Sequence, residues 1–163
     1  MLVVRVDLAG SAPVVVLREI AGDGRVLPIS IGPSEAQAIE FALQEVELPR
    51  PLTHDLLVST ISALGGSLER VTITELVGGT FHAELSVRTA AGLQRVGSRS
   101  SDAIALALRV DCPIEVADDV IDLAGLRPDD GDGADATDEE LDDGMVEAFR
   151  EFIENVDPED FLG

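Results

Sequence analysis

Leu68-Glu-Arg-Val-Thr-Ile-Thr-Glu-Leu76 and Thr80-Phe-His-Ala-Glu-Leu-Ser-Val87 stand on either side of Val77-Gly78-Gly79. In the second arm Phe81, Ala83, Leu85 and Val87 alternate with Thr80, His82, Glu84 and Ser86. A period of two is expected where one face of a strand is buried and the other meets water. Two such arms around a glycine pair make an antiparallel hairpin, since glycine reaches the backbone that a tight turn demands. His82 falls on the polar face and is expected to be exposed.

Upstream of the hairpin, residues 2–8, 13–20 and 26–31 are Val-rich and bounded by turn residues, and read as three strands. Pro28 marks the third as an edge or a bulge. Ser34 with Gln37 three positions on fits a capping box, and Ala36, Ile39, Leu43 and Val46 recur at helical spacing. Pro49 and Pro51 stop that helix. A second helix is expected from Thr53, as its cap, to about Leu64, with Leu57, Ile61 and Leu64 on one stripe and Gly65-Gly66 closing it.

Downstream, residues 93–97 read as a further strand, 101–109 as a third helix, 114–116 as a short strand and 118–123 as a last short helix. This order is no βαβα alternation. It predicts an α+β fold with a mostly antiparallel sheet and three main helices. Ser34-Glu35 leading into residues 38–43 is echoed by Ser101-Asp102 leading into residues 103–108, as an internal duplication would leave it.

The body is expected to span residues 1–124. Residues 125–140 read as an acidic, disordered linker, and residues 141–163 as an amphipathic helix with Leu141, Met145, Phe149, Phe152, Ile153 and Val156 at helical spacing. That helix would dock on its own body, on a second subunit or on another protein, and self-docking is slightly preferred.

Charge bounds the function further. The chain carries −21, with nine Arg against seventeen acids in residues 1–124 and two against fifteen in residues 125–163. Such a surface repels polyanions, which excludes passive coating of nucleic acid but not a local site. Five Phe with no Tyr or Trp predict an aliphatic core. Cys112, the single cysteine, leaves no intrachain disulfide and reads as a packing residue. The N-terminal residues lack a signal-peptide layout and no apolar run reaches a membrane span, so the chain reads as soluble, cytoplasmic and free of the membrane.

The scarce chemistry gathers at residues 49–57, Pro-Arg-Pro-Leu-Thr-His-Asp-Leu-Leu. His54 and Asp55 lie side by side at a helix start, close behind Arg50. Glu35, Asp55 and Asp102 each lie in the first turn of an expected helix. An acid there stabilises the helix by about 0.3–1 kcal/mol, so one alone needs no functional account. Three of them, with His54, Arg50 and Arg99, invite one. If the helix starts converge, the carboxylates could hold Mg²⁺ or Mn²⁺ through oxygen ligands. His54 could deprotonate a water, and Arg50 and Arg99 could grip phosphate. That assembly suits phosphodiester hydrolysis. No Walker, dinucleotide-binding, zinc-protease or nucleophile-elbow signature is present. Ser100 and Ser101 read as helix caps.

Residues 31–39, 49–56, 78–83 and 101–107 together resemble the bifunctional nuclease family, also catalogued as a domain of unknown function. The resemblance covers about residues 1–124. The ending at residues 149–161 is also similar to those of many bacterial members. The resemblance implies an α+β fold, a homo-oligomer with a dimer favoured, and combined RNase and DNase activity, a label that comes from plant relatives. The matched positions are Glu35, Arg50, Thr53, His54, Asp55, Arg99, Ser101 and Asp102. His54, Asp55, Glu35 and Asp102 are then the catalytic candidates, with Glu35, Asp55 and Asp102 as metal ligands. Arg50, Arg99, Thr53 and Ser101 become substrate-binding candidates. The chain departs from the family pattern at Gly97, where an acid is common, and at Ser100, where a proline is.

Two functional readings compete. One is a metal-dependent nuclease acting on RNA or DNA. The other is a non-enzymatic regulatory module that binds a small ligand or a protein partner, which the charge favours. A purely structural role for Thr53, His54 and Asp55 is the third possibility. A shared site requires the three helix starts to lie within about 12 Å of one another.

Overall fold

The computed structural model describes residues 2–127 apart from 8–11, 21 and 47. The linker and tail helix expected beyond Arg127 lie outside the described residues. The hairpin forms as its sequence predicts, from β4 (Ser67–Val77) and β5 (Thr80–Thr89). Gly78 and Gly79 both take positive φ, +55° and +73°, which is the two-residue turn that matches strand twist. Phe81, Ala83, Leu85 and Val87 are buried and His82 is exposed. In β4 the register shifts between Leu68 and Arg70 and again between Ile73 and Glu75. Each shift is a bulge that restores Val71 and Ile73 to the core face.

Strands β1 (Leu2–Asp7), β2 (Val14–Glu19) and β3 (Val26–Ser30) pair antiparallel in that order. Pro28 sits in β3 at the edge of this sheet, where its missing N–H costs nothing. The hairpin belongs to a second sheet, ordered β6-β5-β4-β7, with β6 (Gly92–Arg99) antiparallel and the short β7 (Ile114–Val116) parallel to β4. The strands are therefore mostly antiparallel, as expected, but divided between two sheets. Three antiparallel strands followed by a helix occur twice in the element order, in keeping with the echo in the sequence.

The helices are α1 (Pro33–Leu43), α2 (Thr53–Ala63), α3 (Ser100–Val110) and α4 (Asp118–Ala124). α3 is the hub, packing on β4, β5 and β6 and on α1 and α2. Ala103 to Ala107 are at most 1% exposed. Ile104 and Leu106 meet the inward faces of both sheets through Val15, Leu17, Leu27, Ile29, Val71 and Ile73. Truncating such a side chain to alanine costs about 2–5 kcal/mol. Between Ser100 and Ala107 only Asp102 escapes burial, so the most buried helix opens to the surface at one carboxylate.

Three expectations need correction. Gly32, not Ser34, is the N-cap of α1, because Pro33 presets the first helical φ and pulls the helix start forward. Leu52, not Thr53, is the N-cap of α2. The stripe on α2 is also misplaced: Leu57 and Leu64 are 40% and 81% exposed, and α2 meets the core through Val58 and Ile61. At the other end, Leu126 exchanges two backbone hydrogen bonds with Val26 (2.8 and 2.9 Å).

Candidate functional site

Glu35, Asp55 and Asp102 occupy the same position in three helices, the third residue after the N-caps Gly32, Leu52 and Arg99. An acid there can reach back to the N-cap amide and complete half of a capping box. Asp55 does so: its Oδ2 accepts from the Leu52 N–H at 2.7 Å. The carboxylates of Glu35 and Asp102 turn instead to Arg99. Capping thus accounts for one acid and leaves two for another purpose.

The convergence is direct. Arg99 donates from Nε to Asp102 Oδ2 (2.7 Å), from Nη2 to Asp102 Oδ1 (3.0 Å) and from Nη1 to Glu35 Oε1 (2.9 Å). Asp102 Oδ1 also lies 3.0 Å from His54 Nε2. One chain of contacts, Glu35–Arg99–Asp102–His54, therefore joins the starts of α1, α3 and α2. The Arg99 hydrogen bonds hold the Asp102 carboxyl below the usual carboxylate range against the opposing effect of burial, with His54 adding to the lowering. The paired carboxylates in turn raise the Arg99 pKa. An ionised Asp102 can only accept, so His54 Nε2 carries the hydrogen, and Nδ1 is the ring nitrogen that bears a lone pair whenever the ring is neutral. Nδ1 has no hydrogen bond among the described residues, and the His54 side chain is mostly buried, 14% exposed.

Asp55 faces a different partner. Arg109 Nε donates to its Oδ1 at 2.5 Å and Arg109 Nη1 to the Ala105 carbonyl at 2.8 Å. Burial pushes the Asp55 carboxyl up, but Arg109 and the Leu52 amide outweigh it and the net shift is down. Arg109 had no place among the expected site residues. A basic residue in the last turn of a helix reads only as a complement to the dipole, and nothing local points to an acid 54 positions earlier.

The other expected residues divide. Arg50 is exposed and, among the described residues, makes no hydrogen bond or ion pair. Thr53 is exposed at the first position of α2, whereas Ser101 is only 6% exposed and faces the interior. Gly97 lies exposed on β6 opposite Glu84, and a Cβ added there would meet nothing within 4 Å, so packing does not dictate the missing acid. At Gly32 a Cβ would collide with Glu35 Oε2, so that glycine lets the carboxylate fold over the helix start.

The three-carboxylate set expected for Mg²⁺ or Mn²⁺ is not brought together. Arg99 fills the space between Glu35 and Asp102, and Asp55 is committed to Arg109 and Leu52. Among the described residues no three His, Cys, Asp or Glu side chains are grouped as metal ligands. As arranged, these residues do not fit a divalent ion.

The helix starts meet on two mostly antiparallel sheets, and this chain matches a known domain. The family model described as the bifunctional nuclease domain matches residues 15–129, and the chain belongs to that family. It is 47% identical over 158 residues to an uncharacterized protein of Mycobacterium tuberculosis, covering 97% of this chain and 93% of that one. Bifunctional nuclease 1 of Oryza sativa subsp. japonica is 28% identical over 114 residues, 67% of this chain and 34% of the rice protein. Bifunctional nuclease 1 of Arabidopsis thaliana is 28% identical over 107 residues, 64% of this chain and 33% of its own length. The chain thus spans about a third of these plant relatives. No described helix is long and apolar enough to cross a membrane.

Proposed function

We propose that the chain hydrolyses phosphodiester bonds in RNA or DNA at the Glu35–Arg99–Asp102–His54 cluster. The observation that carries this reading is the 3.0 Å contact between His54 Nε2 and Asp102 Oδ1. In this mechanism Asp102 holds the ring in one tautomer. Nδ1 takes a proton from the attacking water as its oxygen bonds to phosphorus, and the leaving oxygen takes the electron pair of the broken P–O bond and gains a proton from solvent. Arg50 contacts a non-bridging phosphate oxygen. Arg99, 64% exposed, offers a second guanidinium while Glu35 and Asp102 restrain it.

No metal takes part in this mechanism, because the Arg99 guanidinium already occupies the position between Glu35 and Asp102 through hydrogen bonds to both. The test is cleavage of single-stranded RNA and single-stranded DNA by purified wild-type protein and His54→Ala, in Mg²⁺, in Mn²⁺ and in chelator. Loss of cleavage in His54→Ala by about 10²-fold or more is expected. Equal cleavage by both proteins, or none by either in all three conditions, overturns the proposal.

The charge of −21 favours the alternative, a non-enzymatic module holding a ligand or a partner. The same measurement separates them, because a binding module shows no turnover that depends on His54.

A further inference from the structure

The chain has two histidines, and His82 stands outside the Glu35–Arg99–Asp102–His54 cluster. Strand alternation puts it on the outward face of β5, where it is exposed. Its ring has no hydrogen-bond partner among the described residues. Register places it directly opposite Arg99 on β6 and Glu75 on β4. Side chains so paired share a face, with Cβ atoms about 4.5–5.5 Å apart. Glu84, two residues along β5, lies on that face as well.

Both histidines therefore lead to Arg99, His54 through Asp102 and His82 as a neighbour across the strands. A guanidinium has five N–H donors; Asp102 takes two of those on Arg99 and Glu35 takes one, which leaves two for a phosphate. The side chain that offers them is 64% exposed. A phosphate seated on Arg99 then has a base on one element, α2, and a second imidazole on another, β5. In-line displacement asks for that division, since the attacking and leaving oxygens lie on opposite sides of phosphorus.

We infer that His82 is the general acid of the proposed reaction, which deepens the nuclease reading and rests on it. As the P–O bond breaks, the leaving oxygen keeps the electron pair and takes a proton from the His82 imidazolium. His82 then regains a proton from solvent, so it is the route by which the solvent proton reaches that oxygen. Histidine suits the task because it exchanges protons near neutral pH.

The test varies the leaving atom. A sugar oxygen leaves poorly without a proton, whereas a thiolate leaves as a stable anion and needs none. Wild type, His82→Gln and His54→Ala are compared on a single-stranded oligonucleotide, RNA or DNA, whichever wild type cleaves. The same oligonucleotide with sulfur in place of the leaving oxygen at the cleaved bond is the second substrate. His82→Gln is expected to lose about 10²-fold in kcat on the oxygen substrate and under about fivefold on the sulfur substrate. His54→Ala should lose comparably on both, because a base serves either leaving group. A His82→Gln protein as fast as wild type on the oxygen substrate, or slowed equally on both, overturns the role of His82 while that of His54 stands. No cleavage by wild type overturns both.

Discussion

Asp102 carries two obligations at once. It accepts two hydrogen bonds from Arg99 and faces the His54 ring, and these partners keep it ionised where an ordinary aspartate would take up a proton. A carboxyl whose folded pKa lies below its unfolded value of about 3.9 stabilises the native state fully above that value. The contribution is lost as pH falls below it and through the folded pKa. Chemical denaturation from pH 5 down to 2 should therefore show wild type losing stability across that window. Asp102→Asn, which cannot ionise, should start less stable at neutral pH and lose less on acidification. An identical pH slope in both proteins would show that the Arg99 and His54 contacts do not persist in solution. His54 itself was legible from its company in the sequence. That Asp102 would be its partner was not, since 48 residues separate them and a helix start already explained an acid at Asp102.

At the scale of elements, α2 is held in an unusual way. No residue on it is buried, and its apolar contacts reduce to Val58 and Ile61 at the core margin. Asp55 supplies much of what fixes its start, capping Leu52 and receiving Arg109 from the far end of α3. The Arg109 side chain is only 9% exposed, so removing Asp55 strands a cation away from water. Asp55→Ala is expected to cost about 2–4 kcal/mol in denaturant unfolding, more than the roughly 1 kcal/mol of an exposed cap. A cost under about 1 kcal/mol would mean that the ion pair adds nothing beyond capping. The hairpin shows the opposite case of legibility. Strict alternation from Phe81 to Val87 and the Gly78-Gly79 turn are local, so the sequence alone specifies them. The helical spacing of Leu57 and Leu64 was equally regular and still misled. Periodicity reports that apolar residues share a face, not that another element covers it.

Across the whole molecule, two three-strand runs each deliver a helix, and α2 lies between them in sequence. Their helix starts meet because α3 packs on the second sheet and on α1 and α2, inside one core that includes residues of both sheets. The strand content and helix count were readable from pattern. The division into two sheets was not, because alternation fixes which face of a strand is buried and says nothing about its neighbour. The same limit applied to the site: the acids were visible, but Arg99 joining residues 35 and 102 is a tertiary fact. Joint action of His54 and Asp102 on a phosphodiester is the step from which the proposed activity follows. It is tested most directly by a double-mutant cycle on cleavage of single-stranded RNA, comparing wild type, His54→Ala, Asp102→Asn and the double variant. Large single losses are expected, with a double variant about as active as His54→Ala alone, since residues acting as a unit are not additive. Losses that multiply in the double variant, or an Asp102→Asn protein as fast as wild type, would contradict it.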